Sequence, residues 1–207
     1  MLTLGYDATT LLFLTEAAKK RSFQVVVAEG WPSPGTPGGA ATALALAAAG
    51  VETTLVSDAA VFAVAARAHK VVLAARSVLA NGGVMAAAGA ALVAAAAKRH
   101  AAPVVALVGS HALSPLFPHD PALAFNELAS PGAALGFAAV ADAAAAAAAA
   151  PSVPLGASLL AVHVPALDYV PPELVSLLVT DTGGATPAYV YRLLADYYSR
   201  EDYALGR

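Results

Sequence analysis

Residues able to do chemistry are confined to a few short clusters in an otherwise alanine-rich chain. Gly30-Trp-Pro-Ser-Pro-Gly-Thr-Pro-Gly-Gly39 follows a strand-like run that ends near Glu29 and precedes a helical stretch, where backbone N–H groups can cradle a phosphate. It has neither dinucleotide-type glycine spacing nor a Gly-Lys-Ser/Thr, and its three prolines remove donors, so it reads as a rigid connector. Asp58 stands after another strand and suits the N-cap of the helix carrying Val61 and Phe62. Asn81-Gly82-Gly83 reads as a turn whose residues tolerate positive φ.

The five histidines, His69, His100, His111, His119 and His163, include no i,i+4 pair and no adjoining carboxylate cluster. No metal site is expected from that spacing. Ser110-His111 with Asp120 has the residue types of a hydrolase, but adjacent side chains do not face each other and the glycine-flanked nucleophile elbow is missing. The chain has no cysteine, which removes disulfides, thiolate metal sites and cysteine nucleophiles.

The densest cluster is Asp168 to Arg192. Pro171-Pro172 stiffens the entry to an apolar run from Leu174 to Val179, expected to be a core strand. Asp181-Thr182-Gly183-Gly184 supplies a tight turn, and Thr186-Pro187 opens a helix whose Tyr189, Tyr191, Tyr197 and Tyr198 suit either the core or an interface.

The elements that must position these groups are legible upstream. Strands are expected at Leu2 to Leu4, Phe23 to Ala28, Thr53 to Val56, Val71 to Leu73 and Val104 to Val108. Helices are expected after Asp7 (with Leu11, Leu14 and Ala18 on one face and a Glu16/Lys20 pair), at Ala40 to Ala49 closed by Gly50, at Ala59 to Ala68 and at Ala86 to His100. This alternation predicts right-handed crossovers and an α/β fold: a doubly wound, mostly parallel sheet of about six to seven strands with helices on both faces. The region from about 110 to 165 is proline-rich and weakly patterned. Residues 138–155, with the run Ala143 to Ala150, read as a low-complexity insertion in a single domain spanning 1–207.

Composition narrows the function classes. A formal net charge of −3, from 11 basic and 14 acidic residues, builds no basic field for a nucleic-acid backbone. Charged residues are 12% of the chain, about half the usual share of roughly 25%, which fits a buried partner surface or alanine bias at surface positions. The start lacks the basic-then-apolar order of a secretory signal, and no window has membrane-span character, so a cytosolic location without membrane contact is expected.

Several segments together resemble one family, the regulatory alpha, beta and delta subunits of eukaryotic translation initiation factor 2B. They are Val26-Val-Ala-Glu-Gly-Trp-Pro, Glu52 to Val64, Lys70-Val-Val with Val78 to Gly83, Leu113-Ser-Pro-Leu-Phe-Pro118 and Asp168 to Tyr198, in order along the chain. The resemblance implies a Rossmann-like domain matching the C-terminal domain of that family, without its N-terminal helical domain. It further implies a non-catalytic subunit of the guanine nucleotide exchange factor for initiation factor 2, with no cofactor. Its expected partners are a delta-type subunit first, then the alpha, gamma and epsilon subunits, and initiation factor 2 through that factor's own alpha subunit.

Methylthioribose-1-phosphate isomerases share the fold and resemble this chain at Glu29 to Pro32. By that resemblance, Glu29, Trp31, Asp58, Arg76, Asn81 and Gly82 mark a vestigial ligand cleft. Trp31 replaces a phosphate-contacting arginine, and Arg76 stands at the catalytic aspartate's position. A guanidinium cannot exchange protons near neutrality, so no catalytic residue is assigned. An isomerase, or a non-catalytic sensor of sugar phosphates or nucleotides, is the alternative reading. Tyr169, Val170, Pro171, Pro172 and Glu173 are the expected protein interface. Asp181, Gly183, Gly184, Thr186 and Pro187 are the expected turn and cap that support it.

Overall fold

A computed structural model describes residues 1–31, 37–120, 126–141, 161–199 and 201. The elements in chain order are β1 (Leu2–Leu4), α1 (Ala8–Ala18), β2 (Gln24–Ala28), α2 (Gly38–Ala48), β3 (Glu52–Val56), α3 (Val61–Ala65), β4 (Val71–Val78), β5 (Val84–Ala87) and α4 (Ala90–Arg99). They continue with β6 (Val104–Leu107), β7 (Leu167–Val170), β8 (Leu177–Thr180), β9 (Gly183–Ala185) and α5 (Val190–Tyr197).

Six strands run parallel in the order β3-β2-β1-β4-β6-β8, the doubly wound arrangement that the alternating pattern predicts. The side-chain alternation of β2 divides the core. Val25 and Val27 pack with Leu14 of α1 and Leu46 of α2, whereas Val26 joins the larger cluster that contains Val61, Val93, Val190 and Leu194 from α3, α4 and α5.

Among the described residues, the remaining three of the nine strands are antiparallel additions that the sequence pattern does not signal. β5 pairs with β4 and β7 pairs with β5, forming a ribbon that rises beyond the parallel sheet, while β9 pairs with β8 at the edge. The expected helix from Ala86 is therefore corrected: Val84–Ala87 is a strand and α4 starts at Ala90. The break falls at Gly89, whose φ of +94° is open to glycine; Ala86 and Ala87 favour helix by propensity but are held extended by the ribbon, Ala86 pairing with β4 and β7 and Ala87 with β7.

The strand expected at Val71 to Leu73 runs on to Val78, since β5 supplies partners to its second half. The strand expected from Leu174 begins only at Leu177, because Pro172–Leu174 forms a 3-10 turn and Ser176 is the residue that docks on Val104. Ser176 N–H donates to the Val104 carbonyl at 2.8 Å, and its hydroxyl accepts from Val104 N–H at 3.1 Å.

The expected helix Ala59 to Ala68 is a 3-10 turn at Asp58–Ala60 followed by the short α3. In α1, Leu14 is buried with Leu11 and Ala18 packed beside it, as the periodicity predicts. Glu16 pairs with Lys19 rather than Lys20, because the helix ends at Ala18. Of the expected insertion at 138–155, residues 142–155 lie outside the described residues.

Candidate functional site

β1 and β4 lie side by side although the chain visits β2 and β3 between them, which opens a crevice beyond their carboxyl ends. A cleft of about 570 Å³ occupies it, lined by Gly5, Tyr6, Asp7, Gly30, Arg76 and Glu127 among others.

The floor depends on two glycines. Gly5 and Gly30 both have φ of +62°, and a Cβ on Gly30 would lie 2.8 Å from the Gly5 Cα, so only glycine permits the two strand ends to approach. Thr42 of α2, fully buried, donates its hydroxyl to the Gly5 carbonyl at 2.9 Å and fixes this corner. Asp7 accepts from Thr10 N–H at 2.9 Å and so caps α1, as expected, at the mouth of the cleft.

Arg76 owes its place to a register shift. Ala75 pairs with Ala86 and Ser77 with Met85, so Arg76 is the extra residue of a β-bulge, a device that re-aims a side chain, and it lines the cleft. The opposite wall comes from residues 126–129 laid against 164–167. Asn126 acts there as a surrogate strand, its amide donating to the Leu167 carbonyl at 2.6 Å and accepting from Leu167 N–H at 3.0 Å. This holds Glu127 at the rim. Sequence reasoning missed Glu127, which lies in the weakly patterned region and carries no local signal. It recognised Asp7 only as a cap, although its place after the first strand could have marked the cleft.

Asp58 is not a helix cap. Its carboxylate accepts from Gly30 N–H at 2.9 Å and Trp31 N–H at 2.8 Å, which ties the start of the glycine-rich loop to the end of β3. With that carboxylate so engaged, no side chain caps the following turn, and it tightens to 3-10 geometry. Glu29 is half-buried, and its carbonyl accepts from Gly39 N–H at 2.7 Å; Trp31 is exposed. Residues 32–36 of the loop lie outside the described residues.

Asn81 and Gly82 do not line the cleft. They sit in the β4–β5 turn at the far end of the ribbon, among residues expected to serve as interface and cap. The Asn81 amide donates to the Tyr169 phenol oxygen at 2.7 Å and its carbonyl oxygen accepts from Gly83 N–H at 2.9 Å. A Cβ on Gly83 would fall 2.5 Å from the Tyr169 ring, and one on Gly82, at φ +82°, 2.4 Å from the Pro187 carbonyl oxygen. The turn is thus clamped between β7 and the start of the α5 region.

In the expected interface segment, Val170 is buried in the core, Pro171 and Pro172 are half-buried, and Glu173 is exposed with its carbonyl accepting from Lys98. Asp168, one residue before Tyr169, reaches across to α4 and accepts from Gly89 N–H at 2.7 Å and Ala91 N–H at 3.3 Å, capping that helix from another strand.

Thr186 holds the N-cap position before Pro187 but makes no side-chain capping bond. Gly183 and Gly184 belong to β9, paired with Thr180 and Val179. Asp181 accepts from both the backbone N–H of Ser110 at 2.7 Å and its hydroxyl at 2.9 Å. Those two bonds, the backbone one foremost, hold the Asp181 carboxyl below the usual carboxylate range. Ser110 therefore serves a loop clasp, with Asp181 and not Asp120 as its partner. Among the described residues no group of three or more His, Asp or Glu could hold a metal ion, and no helix is long and apolar enough to cross a membrane.

A parallel switch-point sheet with an antiparallel ribbon grafted onto β4 defines a Rossmann-like α/β protein, and comparison with known proteins narrows the class. The chain belongs to the initiation factor 2 subunit family, whose model matches residues 1–187. It is 41% identical over 204 residues to translation initiation factor eIF2B subunit beta of Dictyostelium discoideum and 40% identical to that of Schizosaccharomyces pombe, covering 98% of this chain in each case. The chain spans about half the length of these relatives, 47%.

Among solved structures, eIF2B beta from Chaetomium thermophilum matches over 100% of this chain and 50% of that one, with a TM-score of 0.69 and 28% identity. The tetrameric eIF2B-beta2-delta2 complex from C. thermophilum matches over 95% of this chain and 54% of that one, with a TM-score of 0.67 and 29% identity. An eIF-2B from Pyrococcus horikoshii, at 20% identity and a TM-score of 0.66 over 90% of this chain and 57% of its own, shares the fold.

Proposed function

We propose that this chain is a regulatory, non-catalytic subunit of the guanine nucleotide exchange factor for translation initiation factor 2, acting in the cytosol by docking. The observation that carries the reading is 41% identity to an eIF2B beta subunit across 98% of the chain. The α/β unit pairs with a delta-type subunit first, through the region of Tyr169 to Glu173, and through that pair joins alpha, gamma and epsilon subunits. The assembled complex receives initiation factor 2 through its alpha subunit, while exchange chemistry lies elsewhere. Arg76 in the cleft supports the non-catalytic part, since a guanidinium does not trade protons near neutrality.

Co-expression with a delta-type subunit followed by affinity purification tests this. A stoichiometric pair that alters exchange on initiation factor 2 when added to the remaining subunits is the expected result. A chain that stays monomeric beside that subunit counts against it.

A second reading rests on Arg76 and Glu127 facing one cleft: the crevice holds a small polar ligand such as a sugar phosphate or nucleotide without turning it over. Calorimetry with sugar phosphates separates this from pure docking. Turnover of a ribose-1-phosphate-type substrate would instead restore the isomerase.

A further inference from the structure

The formal net charge of −3 conceals a segregation of charge between the two ends of the sheet. Exposed cations precede three of the parallel strands: Lys19, Lys20 and Arg21 lead from α1 into β2, Arg67 and Lys70 from α3 into β4, and Lys98 and Arg99 close α4 before β6. These are most of the 11 Lys and Arg residues of the chain. Because β2, β1, β4 and β6 are successive neighbours, the three groups share one end of the sheet, about 15 Å across at the spacing of paired strands.

Acidic residues hold the opposite end, where Asp7, Glu29, Asp58 and Asp181 follow β1, β2, β3 and β8. The five residues of β2 separate the ends by roughly 16 Å, about twice the screening length at physiological ionic strength, so the basic end acts on its own.

Helix dipoles do not account for this pattern. They favour cations within the last helical turn, and α1 and α3 have none there; their cations stand at or beyond the helix ends. Nor do acids of the chain neutralise them. Among the described residues the one salt bridge joins Lys19 to Glu16, and the Lys98 ammonium donates to the Glu173 carbonyl. A groove of about 770 Å³ opens at this end, lined by Lys19, Lys20, Arg21, Ser22, Gln24 and Glu52 among others.

We propose that this groove docks an acidic segment of a partner polypeptide, whose carboxylates meet Lys20 and Arg21 while the cations before β4 and β6 steer its approach. The site is independent of the subunit pairing read above. A nucleic acid is the other common polyanion, and the groove suits it less. Glu52 stands in its wall, and its one aromatic, Phe23, is half-buried against the cluster of Leu14 and Leu46 rather than open for a base to stack on. Ser22 and Gln24 lie among the cations and supply polar groups to an extended peptide.

The test measures binding of a labelled oligoglutamate peptide to the full 207-residue chain by fluorescence anisotropy. A Lys20→Ser/Arg21→Ser variant is compared with Arg192→Glu on α5, which lowers the net charge by the same amount at another exposed place. All three residues are exposed, so thermal melts of both variants stay near the parent. The expected result is parent binding that weakens as ionic strength rises from about 0.01 to about 0.15 M, and a loss of roughly fivefold or more in the groove variant alone.

An equal loss in both variants makes the effect one of net charge and overturns the site. Absence of binding by the parent at low ionic strength overturns it as well. Tighter binding of a single-stranded RNA than of oligoglutamate, lost in the same groove variant, overturns the choice of partner.

Discussion

The side-chain amide of Asn81 donates to the phenol oxygen of Tyr169 at 2.7 Å, joining residues 88 positions apart. This bond and the glycines next to it make the β4–β5 turn a keystone between β7 and the α5 region. The same relationship moves Asn81 and Gly82 away from the ligand cleft and into the packing between Tyr169 and Pro187.

Removing the phenol should therefore loosen the turn without unfolding the sheet. Tyr169→Phe is expected to cost about 1 kcal/mol, the net worth of one partly buried hydrogen bond. Asn81→Ala should cost a similar amount or more, since it also frees Gly83 N–H. In a double-mutant cycle by urea denaturation the two should be non-additive, and strict additivity would show that the bond contributes nothing.

Gly82→Ala combines a left-handed backbone with a Cβ only 2.4 Å from the Pro187 carbonyl oxygen. The loss should exceed about 2 kcal/mol, more than either hydrogen-bond deletion. A melting temperature within a degree or two of the parent would refute the clamp.

Asp58 offers a local readout because the two N–H groups it holds belong to Gly30 and to Trp31, the single tryptophan of the chain. Asp58→Ala removes a carboxylate that accepts two bonds, yet Trp31 is exposed and water can replace part of the loss. We expect lower steady-state anisotropy of Trp31 fluorescence with a stability loss of about 1–2 kcal/mol. Unchanged anisotropy would mean that the carboxylate does not fix the loop.

Asp168 caps α4 from β7, so Asp168→Ala should destabilise by about 1 kcal/mol, within the range for lost N-caps, and Asp168→Asn by less. Amide exchange should quicken at Gly89 and Ala91 first. Faster exchange at the other end of α4 instead would point away from capping.

The clasp between Ser110 and Asp181 carries a pH signature. Its hydrogen bonds lower the folded-state pKa of Asp181, so the unfolded chain binds the proton more readily in the interval between the two values. The stabilisation is complete above the ordinary aspartate range near 3.9 and is lost as pH falls through the lower folded value. Ser110→Ala removes the hydroxyl bond and should raise the Asp181 midpoint in a carbon-detected NMR titration. An unmoved midpoint would leave only the backbone bond as its cause.

The six parallel strands and their order of appearance were legible because β-branched runs such as Val25-Val-Val27 and Val104-Val105 carry their own propensity, and because alternation with helices leaves few topologies. The Asp7 cap and the Asn81-Gly82-Gly83 turn were legible for the same reason, since both are local chemistry. The family, too, showed in the order of its motifs.

What the chain could not announce was every feature that depends on a distant partner. β5 is Val-Met-Ala-Ala and β9 is Gly-Gly-Ala, and neither has strand character until β4, β7 and β8 supply hydrogen bonds. Asp58 stands where a carboxylate could cap the neighbouring turn and Asp168 lies within a strand, but folding turns both to N–H groups 27 to 79 residues away. Local propensity fixed the strands and helices that stand alone; the bulge at Arg76, Glu127 at the cleft rim and the clamp on the Asn81–Gly83 turn exist only because tertiary packing pairs groups that are remote in sequence.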